Sequence, residues 1–78
     1  MNETVLARVQ RIVAALFDAP PESITVDCSP QTLPKWDSMG HLTLVLQLEE
    51  DFGVQLTAEE VESMQSIGDV VRVLDAHL

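Results

Sequence analysis

The side chains best suited to chemistry lie together in the segment WDSMGH, residues 36–41. Ser38 offers a hydroxyl nucleophile, and His41, three residues later, offers a base on the same face of a helix. A hydrolase also requires a group that orients the base, an oxyanion hole and a pocket. No G-x-S-x-G turn surrounds Ser38, and a chain of 78 residues leaves little room for a cleft. The sequence therefore disfavours catalysis, and we interpret His41 as an ordinary residue of the first helical turn.

Ser38 has two other possible uses, which the residues alone leave open. A strongly apolar helical pattern begins directly after Asp37 and Ser38, and both residue types are preferred helix N-caps. These preferences favour the capping role. A helix N-terminus also attracts anions, because its first N–H groups are free and the helix dipole is positive there. A phosphate group bonded to Ser38 would therefore be stabilised, and Met39 would begin an apolar surface beside it.

Other reactive side chains give weaker signals. The acidic runs at residues 49–51 and 59–62 lack the alternating acids, central glycine and terminal glutamate of a calcium loop, so the sequence predicts no metal site. The segment DFG at 51–53 stands alone in a chain far too short for a kinase. Cys28 has no basic neighbour to activate it, and no second cysteine is present to form a disulfide. Trp36 is interpreted as a hydrophobic anchor for the end of a loop.

The elements that must position these residues are predicted to be helical. Apolar residues recur at helical spacing over 3–17, with Thr4 or Asn2 as the cap, and again over 38–52 and 67–77. Within 54–65, Thr57 and Glu60 form the pattern of a capping box, which predicts a short helix.

The segment 18–37 contains four prolines and shows no sustained periodicity, so it is expected to be a long loop. An irregular loop of this length is unusual in a small domain, so it either holds a short helix or is functional. Pro20 and Pro21 are expected to end the first helix, and Ile24, Val26 and Leu33 are expected to anchor the loop over the core. The prediction is an all-α fold, a small four-helix bundle with three main helices, a short third helix and a long first loop. Residues 1–78 are expected to form a single domain.

Composition and charge limit the possible partners. The net charge is −9, and residues 37–78 carry nine acidic residues against Arg72 alone, a net charge of −8. Such a surface repels nucleic acid and anionic lipid and favours partners with basic patches. The chain shows no basic leader followed by an apolar segment and no apolar run of about 18 residues. We therefore expect a soluble, cytoplasmic protein that binds neither nucleic acid nor membranes.

The second predicted helix is unusually apolar around its circumference. Its apolar side chains spread over about 220° on a helical wheel, whereas a surface helix needs a stripe of only about 100°. This helix is therefore either central to the bundle or presents apolar side chains to another molecule as well.

The segment DSMGHLTLVLQLEEDFGVQL, residues 37–56, resembles the acyl carrier protein family. The family signature is Asp-Ser-Leu, here Asp37-Ser38-Met39, at the start of the second helix, followed by an apolar helix that ends in Glu-Glu-x-Phe. The resemblance continues through the long first loop, the short third helix and the SIGDVV that opens the last helix, and so covers essentially the whole chain.

The resemblance implies a carrier protein without catalytic activity of its own. Ser38 matches the position to which a phosphopantetheinyl transferase attaches 4′-phosphopantetheine from coenzyme A. The thiol of that arm carries acyl groups as thioesters among acyl-loading and acyl-processing enzymes, and the apolar second helix can line a cleft that shelters the acyl chain. Partners of the family commonly meet this helix with Arg and Lys, which implies a partner surface at Asp37, Met39, Thr43, Gln47 and Glu50.

The pathway is less clearly indicated than the family. Peptidyl carriers usually have glycines before the serine, where Lys35-Trp36-Asp37 stand here, and fatty-acid carriers usually have acids in the stretch after it. Here that stretch contains Gly40-His41 and Thr43. The pattern is more similar to stand-alone carriers of specialised pathways, such as polyketide-type biosynthesis or surface-polysaccharide acylation. Two alternatives remain: a carrier of primary fatty-acid synthesis, and an acidic helical adaptor without cargo. A monomer is expected in each case.

Overall fold

The computed structural model describes residues 4–78, which form four α-helices, a single 3₁₀ turn at Pro21–Ser23 in the first loop, and no strand. The helices are α1 (Val5–Phe17), α2 (Ser38–Phe52), α3 (Ala58–Ser63) and α4 (Ile67–His77). The predicted all-α fold, with three main helices, a short third helix and a long first loop, is confirmed. None of the helices in the described part of the chain is long and apolar enough to cross a membrane.

The core is built by the three longer helices together with the first loop. Val9 and Val13 of α1, Leu44 and Leu48 of α2, and Leu74 of α4 are fully buried against one another. The six-residue helix α3 contributes no buried residue within its own span. Because α3 is so weakly packed, its position depends largely on hydrogen bonds and on neighbouring apolar residues.

The ends of α1 and α2 follow residue chemistry. The Thr4 hydroxyl accepts a hydrogen bond from the Ala7 N–H at 3.1 Å, so Thr4 is the cap of α1, while Asn2 lies outside the described residues. Asp18 ends α1 in the left-handed conformation, with φ of 55°, before Pro20 is reached. The predicted end at residue 17 is confirmed, and Pro20 and Pro21 follow shortly after the cap, where the helix cannot continue. Gly53 ends α2 with φ of 66°, as such a terminator should.

The short helix α3 has the predicted capping box. The Thr57 hydroxyl accepts from the Glu60 N–H, and the Glu60 carboxylate accepts from the Thr57 N–H. That backbone hydrogen bond is the main cause that lowers the pKa of Glu60, and His77 of α4, 2.8 Å from its other carboxylate oxygen, lowers it further. The carboxylate of Glu60 thus both starts α3 and ties it to α4.

The first loop is held by its backbone as much as by its side chains. Ile24 is buried and Leu33 is half-buried, as predicted, but the Val26 side chain is 46% exposed, so its predicted anchoring role is wrong. The Val26 carbonyl instead accepts from the Gly68 N–H, and the Cys28 carbonyl accepts from the Ile67 N–H, both at 2.9 Å. The first N–H groups of a helix lack intrahelical partners, and these carbonyls satisfy them at α4. The loop is thereby fixed against the start of α4.

Candidate functional site

The N-terminus of α2 is capped by Asp37 and not by Ser38. The backbone of Asp37 is extended, and its Oδ1 accepts a hydrogen bond from the Gly40 N–H at 2.8 Å. Ser38 is the first residue of the helix. The favoured interpretation of Ser38 as the cap is therefore wrong, because the chain becomes helical one residue too early for its hydroxyl to reach the free N–H groups.

Ser38 is exposed, and its hydroxyl makes no hydrogen bond to any residue that the structure describes. It lies in the first turn of α2, where the N–H groups and the helix dipole create a positive potential. A covalently bound phosphate at this hydroxyl would gain from that potential and displace no existing contact. The residues at this position thus fit a phosphate-linked prosthetic group.

Gly40 allows the first loop to pass directly over the start of α2. A Cβ atom at this position would lie 2.1 Å from the Lys35 carbonyl oxygen and 3.2 Å from Cε1 of Phe17. The first distance is far below any tolerable contact, so only glycine permits this approach. Gly40 therefore permits the loop to lie close to Ser38, a role that was not expected from the sequence.

His41 links three parts of the molecule. The buried Trp36 donates its indole N–H to Nδ1 of His41 at 2.9 Å, so Nδ1 must be an acceptor. The imidazole proton consequently lies on Nε2, which donates to the Val61 carbonyl of α3 at 2.8 Å. The interpretation of His41 as an ordinary first-turn residue is wrong. A buried indole N–H requires an acceptor, and that requirement was the available signal in the sequence.

These bonds also bear on catalysis. Both ring nitrogens of His41 are engaged by Trp36 and Val61, so neither is available to accept a proton from the Ser38 hydroxyl. The geometry therefore lacks the nucleophile–base contact on which hydrolase chemistry depends. It agrees with the interpretation that this pair is not catalytic.

A cleft of about 460 Å³ opens beside Ser38, between the first loop, the start of α2 and the end of α3. Its walls are formed by Pro30, Trp36, Asp37, Ser38, His41, Val61, Glu62, Met64 and Gln65. The expectation of little room for a cleft is thus wrong. Helix α2 itself contributes only Ser38 and His41, so its apolar side chains do not line this cleft as the resemblance implied.

One face of α2 carries apolar side chains that are exposed and do not pack into the bundle. Met39, Leu42 and Leu46 are 71%, 56% and 67% exposed, and Thr43 and Glu50 are exposed among them. We call these five residues the outer face of α2. The helix is therefore both central, through Leu44 and Leu48, and open to another molecule. Leu42 and Leu46 are not part of the partner surface expected from the sequence.

Gln47 and Asp37 lie at the margins of this face. Gln47 is half-buried and lines a smaller cavity with residues of α1, and Asp37 is exposed at the helix start beside Ser38. Among the described residues, no group of three or more His, Cys, Asp or Glu side chains is arranged to hold a metal ion.

Comparison with known proteins agrees with this geometry. Residues 35–74 match the family model described as a phosphopantetheine attachment site. Acyl carrier proteins from Phenylobacterium zucineum and Renibacterium salmoninarum are 34% and 36% identical, over 95% and 90% of this chain and 94% and 86% of theirs. The solved structure of an acyl carrier protein from Enterococcus faecalis matches with a TM-score of 0.77 and 27% identity, over 95% of this chain and 94% of that one.

The family match also indicates the cofactor. Members of this family hold a covalent 4′-phosphopantetheine arm and transport acyl groups without catalysing their reactions. The match, the relatives and the helical architecture agree with one another, and the chain belongs to the acyl carrier protein family.

Proposed function

We propose that Ser38 is the residue to which the 4′-phosphopantetheine arm is attached. The observation that carries the proposal is the exposed Ser38 hydroxyl, which has no hydrogen-bond partner among the described residues and lies at the positive end of α2. In the attachment reaction Ser38 Oγ bonds to the phosphorus of the arm, and the bond from that phosphorus to the adenosine bisphosphate of coenzyme A breaks. The hydroxyl proton passes to a base of the transferase.

The surroundings of Ser38 support this assignment. The carboxylate of Asp37 is engaged with the Gly40 N–H, so it caps the helix and is held beside Ser38. The cleft beside Ser38 offers a place for the group that the arm carries. The terminal thiol of the arm would hold that group as a thioester, the chemistry of which belongs to the arm and to the partner enzymes.

Intact mass after incubation with coenzyme A and a broad-specificity phosphopantetheinyl transferase tests the proposal. The wild-type protein is expected to gain one arm, and Ser38→Ala is expected to gain none. Ser63→Ala is the matched control, because Ser63 is also exposed and both of its neighbours in the sequence line the cleft. This variant should be modified normally. An unmodified wild-type protein would favour the alternative of an acidic adaptor without cargo.

We further propose that the transferase and the acyl-processing enzymes dock on the outer face of α2, together with Asp37 and Gln47 at its margins. Exposed Met39, Leu42 and Leu46 offer an apolar centre, and Asp37 and Glu50 offer acidic positions at its two ends. The partner surface that fits is an apolar patch rimmed by Arg and Lys. Thr43 leaves this face less acidic than in fatty-acid carriers, so apolar contacts contribute more of the binding.

Kinetics of modification test this docking surface. Glu50→Lys is expected to slow association with the transferase, and added salt should reduce the difference from wild type, because rim charges act mainly on association rate. Leu46→Ser is expected to weaken binding without altering its salt dependence. Unchanged kinetics in both variants would show that the partners dock elsewhere. The carrier is expected to be monomeric when its mass is measured by light scattering.

The pathway proposed is a specialised one, of the polyketide or secondary-metabolite type, with primary fatty-acid synthesis as the alternative. The proposal rests on Gly40, His41 and Thr43, which occupy the stretch where fatty-acid carriers usually have acids. The two relatives named above are described only as acyl carrier proteins, without a pathway. Efficient malonyl loading by a fatty-acid synthesis transacylase would favour the alternative.

A further inference from the structure

The hydrogen-bonded series Trp36–His41–Val61 lies in the wall of the cleft beside Ser38. All three residues line the cleft, and His41 is the group that joins the other two. We call this series the indole–imidazole bridge. It connects the end of the first loop to α2 and α2 to α3, at the place where a group carried on Ser38 would meet the bundle.

The bridge closes the way between α2 and α3. Trp36 is only 2% exposed, and its ring stacks between Phe17 and His41, with centroids 6.2 and 6.0 Å away. Leu44 and Leu48 of α2 are fully buried in the same core. An acyl chain that entered between the helices would have to part His41 from Val61 and move the indole. It would leave the buried indole N–H without its acceptor, which is unfavourable, although the Val61 carbonyl would keep its hydrogen bond from the Met64 N–H.

Apart from the half-buried Val61, which packs against the core, α3 has little packing of its own. Its span contains no buried residue, and the Glu60–His77 contact ties α3 to the end of α4. The His41–Val61 hydrogen bond ties α3 to α2 next to the cleft. Removing this bond would allow α3 to move away from α2 without disturbing the capping box at its start.

We infer that the indole–imidazole bridge keeps a carried acyl group outside the core, so that the group lies in the open cleft against Val61 and Met64. This inference rests on the proposed attachment at Ser38. The lining of the cleft combines apolar side chains, Val61 and Met64 among them, with the polar residues Asp37, Glu62 and Gln65. Short acyl groups, and those with polar substituents, suit such a site, because each further methylene group of a long chain would remain partly in water.

Trp36 itself supplies the reporter, since it is the only tryptophan and the chain contains no tyrosine. The arm is loaded with saturated acyl groups of increasing length, with a broad-specificity phosphopantetheinyl transferase and the corresponding acyl-coenzyme A thioesters. Tryptophan emission, the NMR signal of the indole N–H and the melting temperature are then measured for each species. Wild type, His41→Ala and the control His77→Ala, which removes the other histidine bonded to α3, are compared.

In the wild-type protein, the shortest acyl group is expected to cause at most a small change, because Trp36 lines the cleft but is only 2% exposed. The emission maximum and the indole N–H signal should then stay constant as the acyl chain is lengthened. In His41→Ala, both signals should move progressively, and the melting temperature should rise with acyl length as the chain enters the bundle. His77→Ala should follow the wild-type pattern, even if it is less stable, because its contact lies away from the cleft.

Wild-type signals that move with acyl length would overturn the inference, and this measurement needs no variant. A His41→Ala protein that is as insensitive to acyl length as wild type would overturn it too, because the bridge would then not be the barrier. If intact mass shows no arm on the wild-type protein, the proposed function fails and this inference fails with it. If intact mass confirms the arm but the wild-type tryptophan signals change with acyl length, the inference is overturned and the proposed function stands.

Discussion

Substitution of Asp37 and of Ser38 by alanine separates capping from attachment, although the two residues are adjacent. Asp37 accepts the Gly40 N–H at 2.8 Å, whereas the Ser38 hydroxyl has no partner among the described residues. We expect Asp37→Ala to destabilise the fold and to slow modification. We expect Ser38→Ala to leave the fold intact and to abolish modification.

The magnitudes follow from these contacts. Loss of an N-cap costs about 1 kcal/mol, within a range of roughly 0.5 to 2, and loss of a carboxylate near the helix N-terminus costs about 0.3 to 1 kcal/mol. Asp37→Ala should therefore cost about 1 to 2 kcal/mol. Ser38→Ala removes no hydrogen bond and gains up to about 0.5 kcal/mol of helix propensity. For a domain of this size, 1 kcal/mol shifts the melting temperature by about 4 to 8 °C.

The assay is thermal unfolding followed by far-UV circular dichroism, together with intact mass after treatment with the transferase. The two variants should differ in melting temperature by at least about 4 °C, with Ser38→Ala the more stable. A Ser38→Ala protein that melts as early as Asp37→Ala would refute the assignment of the cap. A Ser38→Ala protein that still gains the arm would refute the assignment of the attachment site.

Three further predictions concern stability. Gly40→Ala should lower the free energy of unfolding in urea by about 1 to 3 kcal/mol, because its Cβ would lie 2.1 Å from the Lys35 carbonyl oxygen. A variant more stable than wild type would contradict that close approach. Added salt should raise the melting temperature, because it screens a net charge of −9, and a flat response would count against self-repulsion. The N–H of Thr57 lowers the pKa of Glu60 below its ordinary value of 4.5, so the carboxylate stabilises the fold above that pH. The stability difference between wild type and Glu60→Gln should therefore disappear as the pH falls through the lowered pKa, and a difference that persists in more acidic solution would contradict this.

Helical periodicity and end signals were sufficient to predict the elements of this fold. Gly53 and the pair Thr57 and Glu60 mark helix ends through local chemistry, and the structure uses them as predicted. Val26 was placed wrongly because a loop carries no period from which the direction of a side chain follows. Its backbone carbonyl, which no sequence pattern describes, makes the contact to α4.

The candidate site was predicted in part for a related reason. Ser38 stood out because the family motif lies within one continuous segment. The roles of Gly40 and His41 depend on contacts with the Lys35 carbonyl and with Val61, which lies twenty residues from His41. No regular spacing in the sequence predicts either contact, because both form only when the loop and α3 pack on α2.

Helix α2 is fixed by contacts that avoid its outer face. At one end Gly40 packs under the loop, and at the other Arg8 donates to the Asp51 carbonyl at 2.8 Å and lies over the ring of Phe52. Exposed substitutions away from such contacts usually change stability by less than about 0.5 kcal/mol. The outer face can therefore diverge rapidly during evolution while the bundle stays the same. A duplicated copy of this gene would need few changes there to serve a different set of enzymes.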